Sequence, residues 1–164
     1  MGYETKQNIA DEEKLVRLFA EDVGTGQPIQ TPQYWPFDYL VPVGSKLSAC
    51  ECRQRHNTHD HYATLHYSSR KWQSLLFAKR IVSGVFLVVG WTDKWGYLRV
   101  GESGYRVSFG GRAEVRAGSS SDREWMIEIP ISDFTMKDYP WVMSQPAGKG
   151  RRVAAGDTAE VTLE

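Results

Sequence analysis

The chain has 164 residues, 41% hydrophobic and 12% aromatic, enough to bury one core and too few for two comfortable domains. Twenty lysines and arginines balance twenty aspartates and glutamates, so no global field draws the chain to nucleic acid, and any polyanion binding has to be local. The longest apolar run, 81–91, contains Ser83, Gly84 and Gly90 and falls short of the ~20 residues that span a bilayer. No signal-peptide pattern opens the sequence, so a soluble, cytoplasmic protein without membrane association is expected.

Residues 9–22 read as a helix, with Leu15, Val16 and Phe19 as its apolar stripe and Asn8 or Asp11 as its cap. Glu12 falls on the stripe side, whereas Glu13 lies about 100° away and is spaced to pair with Arg17 at i+4. Gly24, Gly26, Pro28, Pro32 and Pro36 mark 24–36 as an irregular loop. Residues 37–43 and 47–54 then form a strand pair turning through Pro42, Gly44 and Ser45.

Period-two alternation on the second of these strands sends Cys50 and Cys52 to one face and Glu51 and Arg53 to the other. The cysteines read as reduced core residues, because neighbours at i and i+2 on one strand face are poorly placed for a disulfide with each other.

A short extended segment is expected over 61–67. Ser68 then caps a helix running to about residue 80, with Trp72, Leu75 and Leu76 on its buried face. The unbroken run Val85-Phe86-Leu87-Val88-Val89 reads as a central strand covered on both sides, with 95–100 as its neighbour. Beyond Gly101 the reading gives loops near Gly110-Gly111 and 118–122, a strand over 125–129 and a turn near 132–134. One domain over 1–143 is expected, its core in 9–100, followed by a glycine-rich basic segment over 144–164. The fold class is α/β (α+β): a mixed central β-sheet with an N-terminal hairpin and flanking helices.

A single constellation carries chemistry. Glu12 on the first helix, Asp38 in Phe37-Asp38-Tyr39-Leu40-Val41, Glu51-Cys52-Arg53 and the later apolar strand resemble, in order and spacing, the PD-(D/E)xK nuclease superfamily. The shape is that of archaeal-type Holliday-junction resolvases and small phage-encoded relatives, with a restriction-endonuclease-like fold. The resemblance implies metal-dependent hydrolysis of phosphodiester bonds in DNA, with Mg²⁺ or Mn²⁺ as cofactor and branched or single-stranded DNA as partner. It implies an aspartate ending the first strand and a glutamate in the next: Asp38 and Glu51 as metal ligands, the backbone carbonyl of Cys52 as a further one, and Glu12 as an outer or second-metal ligand. A two-fold homodimer is implied as well.

Arg53 stands where the family has lysine. Arginine stays protonated above about pH 12 and cannot accept a proton, so its roles reduce to orienting water or clamping a phosphate. That departure supports an alternative, a non-catalytic member of the fold that binds nucleic acid or a host protein, for example as an inhibitor of a defence system.

The region 53–80 is locally basic, and Arg55, His56, His59, Arg70 and Lys71 are candidate nucleic-acid contacts. Part of that charge complements the dipole of the second helix. His56, His59, His61 and His66 do not match a zinc-site spacing, and no second cysteine pair completes one. They are read as a solvated loop beside the carboxylates, placed for a phosphate contact or proton transfer.

Overall fold

The computed structural model describes residues 6–23, 26–101, 104–110 and 123–140. The first helix, α1 (Lys6–Asp22), begins three residues earlier than the pattern predicts, which puts Asp11 inside it instead of at its cap. A two-residue strand, β1 (Ile29–Gln30), interrupts the predicted 24–36 loop. The hairpin follows as β2 (Tyr39–Val43) and β3 (Lys46–Gln54). Gly44 takes φ 61° at the first position of its two-residue turn, a backbone state that glycine adopts without a Cβ penalty.

Next come β4 (Thr64–Ser68), α2 (Ser69–Ala78), β5 (Gly84–Gly90) and β6 (Lys94–Arg99). Then follow β7 (Arg106–Gly110), β8 (Glu124–Pro130), a 3₁₀ turn at Ile131–Asp133 and β9 (Thr135–Asp138). The basic segment 144–164 and the 118–122 loop lie outside the described residues.

The architecture is mixed α and β, with a mostly antiparallel central sheet in the order β1-β2-β3-β5-β6-β9. Among the described residues its one parallel pair is β3 with β5, in register from Ser48↔Gly84 to Gln54↔Gly90. Such a pair needs a long crossover, and β4 with α2 supplies it. A second sheet, β4-β8-β7, was not foreseen in the sequence reading. The chain beyond Gly101 thus serves both sheets: β9 closes the edge of the first, and β7 and β8 build most of the second.

Two cores flank the central sheet. On one face Leu15, Val16 and Phe19 of α1 pack over Tyr39, Val41, Cys50, Cys52 and Val88. On the other, Trp72 and Leu75 of α2 and Leu65, Ile127 and Ile129 of the second sheet cover Ala49, Val85, Leu87 and Val89. The β5 run is therefore apolar throughout because both its faces are covered. Cys50 and Cys52 are free and buried against α1, where burial pushes both thiols up and keeps them protonated. The alternation that buries them points Glu51 to the α2 side.

Candidate active site

Asp38 sits just before β2 begins, not at the end of a strand as the family pattern implied. Its backbone is held from both sides: its N–H donates to Cys50 O at 3.0 Å, and its carbonyl accepts from the Thr31 N–H at 2.9 Å. Its side chain turns back onto β3, where Oδ2 accepts the Cys52 N–H at 2.8 Å. A strand residue directs its N–H and C=O to the same side, so the Cys52 carbonyl leaves β3 on the side that Asp38 occupies.

Glu51 is buried, at 4% exposure, between β3 and α2. Three donors converge on one of its oxygens. Arg53 contacts Oε1, the Tyr67 hydroxyl donates to it at 3.2 Å, and Lys71 Nζ lies 3.7 Å away. Burial pushes the Glu51 carboxyl up to about 7; Arg53 and Lys71 draw it back, and the neighbouring Asp38 carboxylate pushes it further up. Arg53 is desolvated too, but the fields of Glu51, Tyr67 and Asp38 outweigh that and hold its guanidinium protonated. The Tyr67 phenol is raised by burial and then by Glu51, so it remains a donor.

Tyr67 was missed in the sequence. Its only signal is the alternation that puts Leu65 and Tyr67 on one face of β4. Lys71, read there as a phosphate contact, is half-exposed and belongs to the Glu51 cluster. Its place on the first turn of α2 is fixed by Ser68, whose Oγ accepts the Lys71 N–H at 3.4 Å and donates to Glu124 Oε2 at 2.7 Å.

Glu12 is not gathered with Asp38 and Glu51 into one group. It lies on the α1 side, where its charge acts on Tyr39 and Cys52, and is partly buried. His56 and Arg70 are exposed, on the segment after β3 and on the first turn of α2. Arg55 and His59 line a separate cavity of about 360 Å³ at the end of β3. His59 Nδ1 meets Asp93 Oδ2 at 2.6 Å, and its amide donates to Asp93 Oδ1 at 2.9 Å.

Among the described residues, one trio offers ligand atoms within 4.8 Å of one another: His59, Asp60 and Asp93. It contains a single histidine, so the four histidines do not converge on a zinc site there. Of the five described tryptophans, Trp72, Trp91 and Trp95 are buried while Trp35 and Trp125 are exposed. Among the described residues no helix is long and apolar enough to cross a membrane.

No protein of curated function matches the sequence. Among solved structures, Hjc, a Holliday junction resolvase from the archaeal hyperthermophile Archaeoglobus fulgidus, is similar at 15% identity and a TM-score of 0.45. The match covers 73% of this chain and 88% of that one. The sequence profile of the family described as "Phage putative PDDEXK endonuclease" matches residues 1–137, which include both helices, the carboxylate pair and both sheets except the last residue of β9. With most of the chain inside that match, the protein belongs to this PDDEXK endonuclease family.

Proposed function

We propose that this protein is a metal-dependent DNA endonuclease that hydrolyses phosphodiester bonds at Asp38 and Glu51, with branched or single-stranded DNA as substrate. The supporting observation is the apposition of two carboxylates, one of them buried, in a chain of this family.

The donor set fits a hard divalent cation. Asp38 Oδ2 is engaged by the Cys52 amide and Glu51 Oε1 by its three donors, so Asp38 Oδ1, Glu51 Oε2 and the Cys52 carbonyl are the oxygens to hold it. A carboxyl raised to about 7 is mostly protonated below that pH, and a cation would displace the proton. Bound Mg²⁺ or Mn²⁺ supplies charge stabilisation at the phosphate and a water of lowered pKa.

Arg53 remains a cation, so it clamps the phosphate or orients the attacking water without accepting a proton. Lys71 adds charge beside it, and Arg55, His56, His59 and Arg70 contact the DNA backbone. Glu12 acts as an outer ligand from the α1 side. A two-fold dimer, phage origin and a place in the bacterial host cytoplasm belong to the same reading.

The test is incubation with labelled linear, single-stranded, flapped and four-way-junction DNA in Mg²⁺ or Mn²⁺. Cleavage that disappears in EDTA and in Asp38→Ala/Glu51→Ala supports the reading. Absence of cleavage on every substrate in both metals sinks it.

Arg53 favours a second reading, a non-hydrolytic protein of the same fold that binds nucleic acid or a host protein, since its guanidinium is committed to Glu51. Such a protein keeps its affinity in EDTA. If the partner is a protein, binding also withstands salt that weakens phosphate contacts.

A further inference from the structure

The cavity at the end of β3 has a chemistry of its own. Arg55 extends the β3–β5 pairing, its N–H donating to Gly90 O at 2.8 Å, and Trp91 leaves β5 on the next residue. Both line the cavity, with Tyr62, His59 and His66. The Arg55 guanidinium is fixed by a bond from Nη2 to His66 O at 2.9 Å, while Nε is buried and without a partner.

His59 is clamped by Asp93 through Nδ1 and its amide, which leaves Nε2 as the ring nitrogen able to meet a ligand. Among the described residues no carboxylate lines the cavity itself, and Asp93 touches it only through His59. A permanent cation, two imidazoles and two aromatic side chains in about 360 Å³ suit a phosphate joined to a planar ring.

Its position relates it to the carboxylates. Alternation puts Glu51 and Arg53 on one face of β3 and Arg55, in its one-residue extension, on the same side, so Arg55 lies about 13 Å along the chain from Glu51. That is roughly four base steps at ~3.4 Å each. A base stacked in a duplex cannot enter a side cavity, whereas an unpaired one can be turned out into it. Resting on the nuclease reading, we propose that this cavity takes one unpaired nucleotide of the bound DNA and so directs the enzyme to gapped, flapped or branched substrates.

The test is binding in EDTA, where cleavage does not intervene, by anisotropy of a labelled linear duplex and of the same duplex carrying an unpaired nucleotide. The wild type is expected to favour the second probe by about tenfold, the scale of one stacking contact. Tyr62 is largely exposed, so its truncation spares the core. Tyr62→Ala and Arg55→Gln should lose the preference, while Tyr62→Phe keeps it.

Equal affinity of the wild type for the two probes, absence of binding to both, or an unchanged preference in Tyr62→Ala overturns the proposal. Free dAMP binding more tightly than the interrupted duplex would also overturn it, because the cavity would then be a mononucleotide site. Preference without cleavage in Mg²⁺ or Mn²⁺ leaves the cavity standing and fails the nuclease reading; cleavage without preference does the reverse.

Discussion

Asp38 Oδ2 accepts the Cys52 amide at 2.8 Å at the point where β2 no longer flanks β3. The last paired residues of the hairpin are Tyr39 and Cys50, so the aspartate side chain stands in for the backbone acceptor that the next pair would provide. One residue therefore closes a ladder and carries a charge toward Glu51.

Substitution separates those two roles. Asp38→Ala leaves the Cys52 N–H without its acceptor and should cost about 1–3 kcal/mol of stability. Asp38→Asn retains an oxygen acceptor and should cost clearly less, while lowering the Glu51 carboxyl because a like charge has gone. Thermal melting and an NMR titration of Glu51 measure both. Equal destabilisation by the two substitutions would show that the amide contact contributes little.

Glu51 also makes a pH prediction for the metal-free protein. Its carboxyl is raised from 4.5 to about 7 on folding, chiefly by burial. Between those values the native state binds more protons than the unfolded one, so this group makes stability fall as pH rises from about 4.5 to 7. Glu51→Gln abolishes that fall and should be more stable than wild type above pH 7, by about 3 kcal/mol. Denaturant melts of both proteins across this range, in EDTA, decide it; parallel pH profiles would refute a buried, raised carboxyl.

The Glu51 face was legible in the sequence because strand alternation is strict: Cys50 and Cys52 had to oppose Glu51 and Arg53. The central strand was legible because Val85-Phe86-Leu87-Val88-Val89 has no polar side. The second sheet was hidden for the converse reason: β7 is short and largely exposed, and its alternating Val107 and Phe109 cover no core. In the central sheet, β1 was hidden because it has only two residues. Lys71 and Tyr67 reach Glu51 from 20 and 16 positions away through the crossover, and Asp93 reaches His59 from 34. Such meetings are made by tertiary folding, and no local pattern announces them.

Arg53 is expected to act through Glu51 as well as on phosphate. It is the cation that most lowers the Glu51 carboxyl, so Arg53→Gln should raise that group further and leave more of it protonated at neutral pH. Cleavage should fall about 100-fold or more, the scale of losing one charge-stabilising donor. Part of the loss should return at higher pH as Glu51 ionises, and Arg53→Lys, which keeps the charge, should lose less. A pH–rate profile for each variant tests this; an Arg53→Gln profile parallel to wild type would confine Arg53 to binding substrate.

Metal binding should be visible without any DNA. A cation held by Asp38 and Glu51 stabilises the folded chain by ~2.7 kcal/mol at one hundred times its Kd. For a domain of this size that is a rise of roughly 5–10 °C in Tm. Asp38→Ala/Glu51→Ala should abolish the rise. His59→Ala should leave it intact, because the His59, Asp60 and Asp93 trio draws its ligand atoms from two other segments, the β3–β4 connection and the β5–β6 turn, and already spends His59 Nδ1 on Asp93. Calorimetric melts in Mg²⁺, Mn²⁺ and EDTA discriminate the two places: a shift that survives the carboxylate pair and vanishes with His59 would put the ion in the trio and leave Asp38 and Glu51 without a metal.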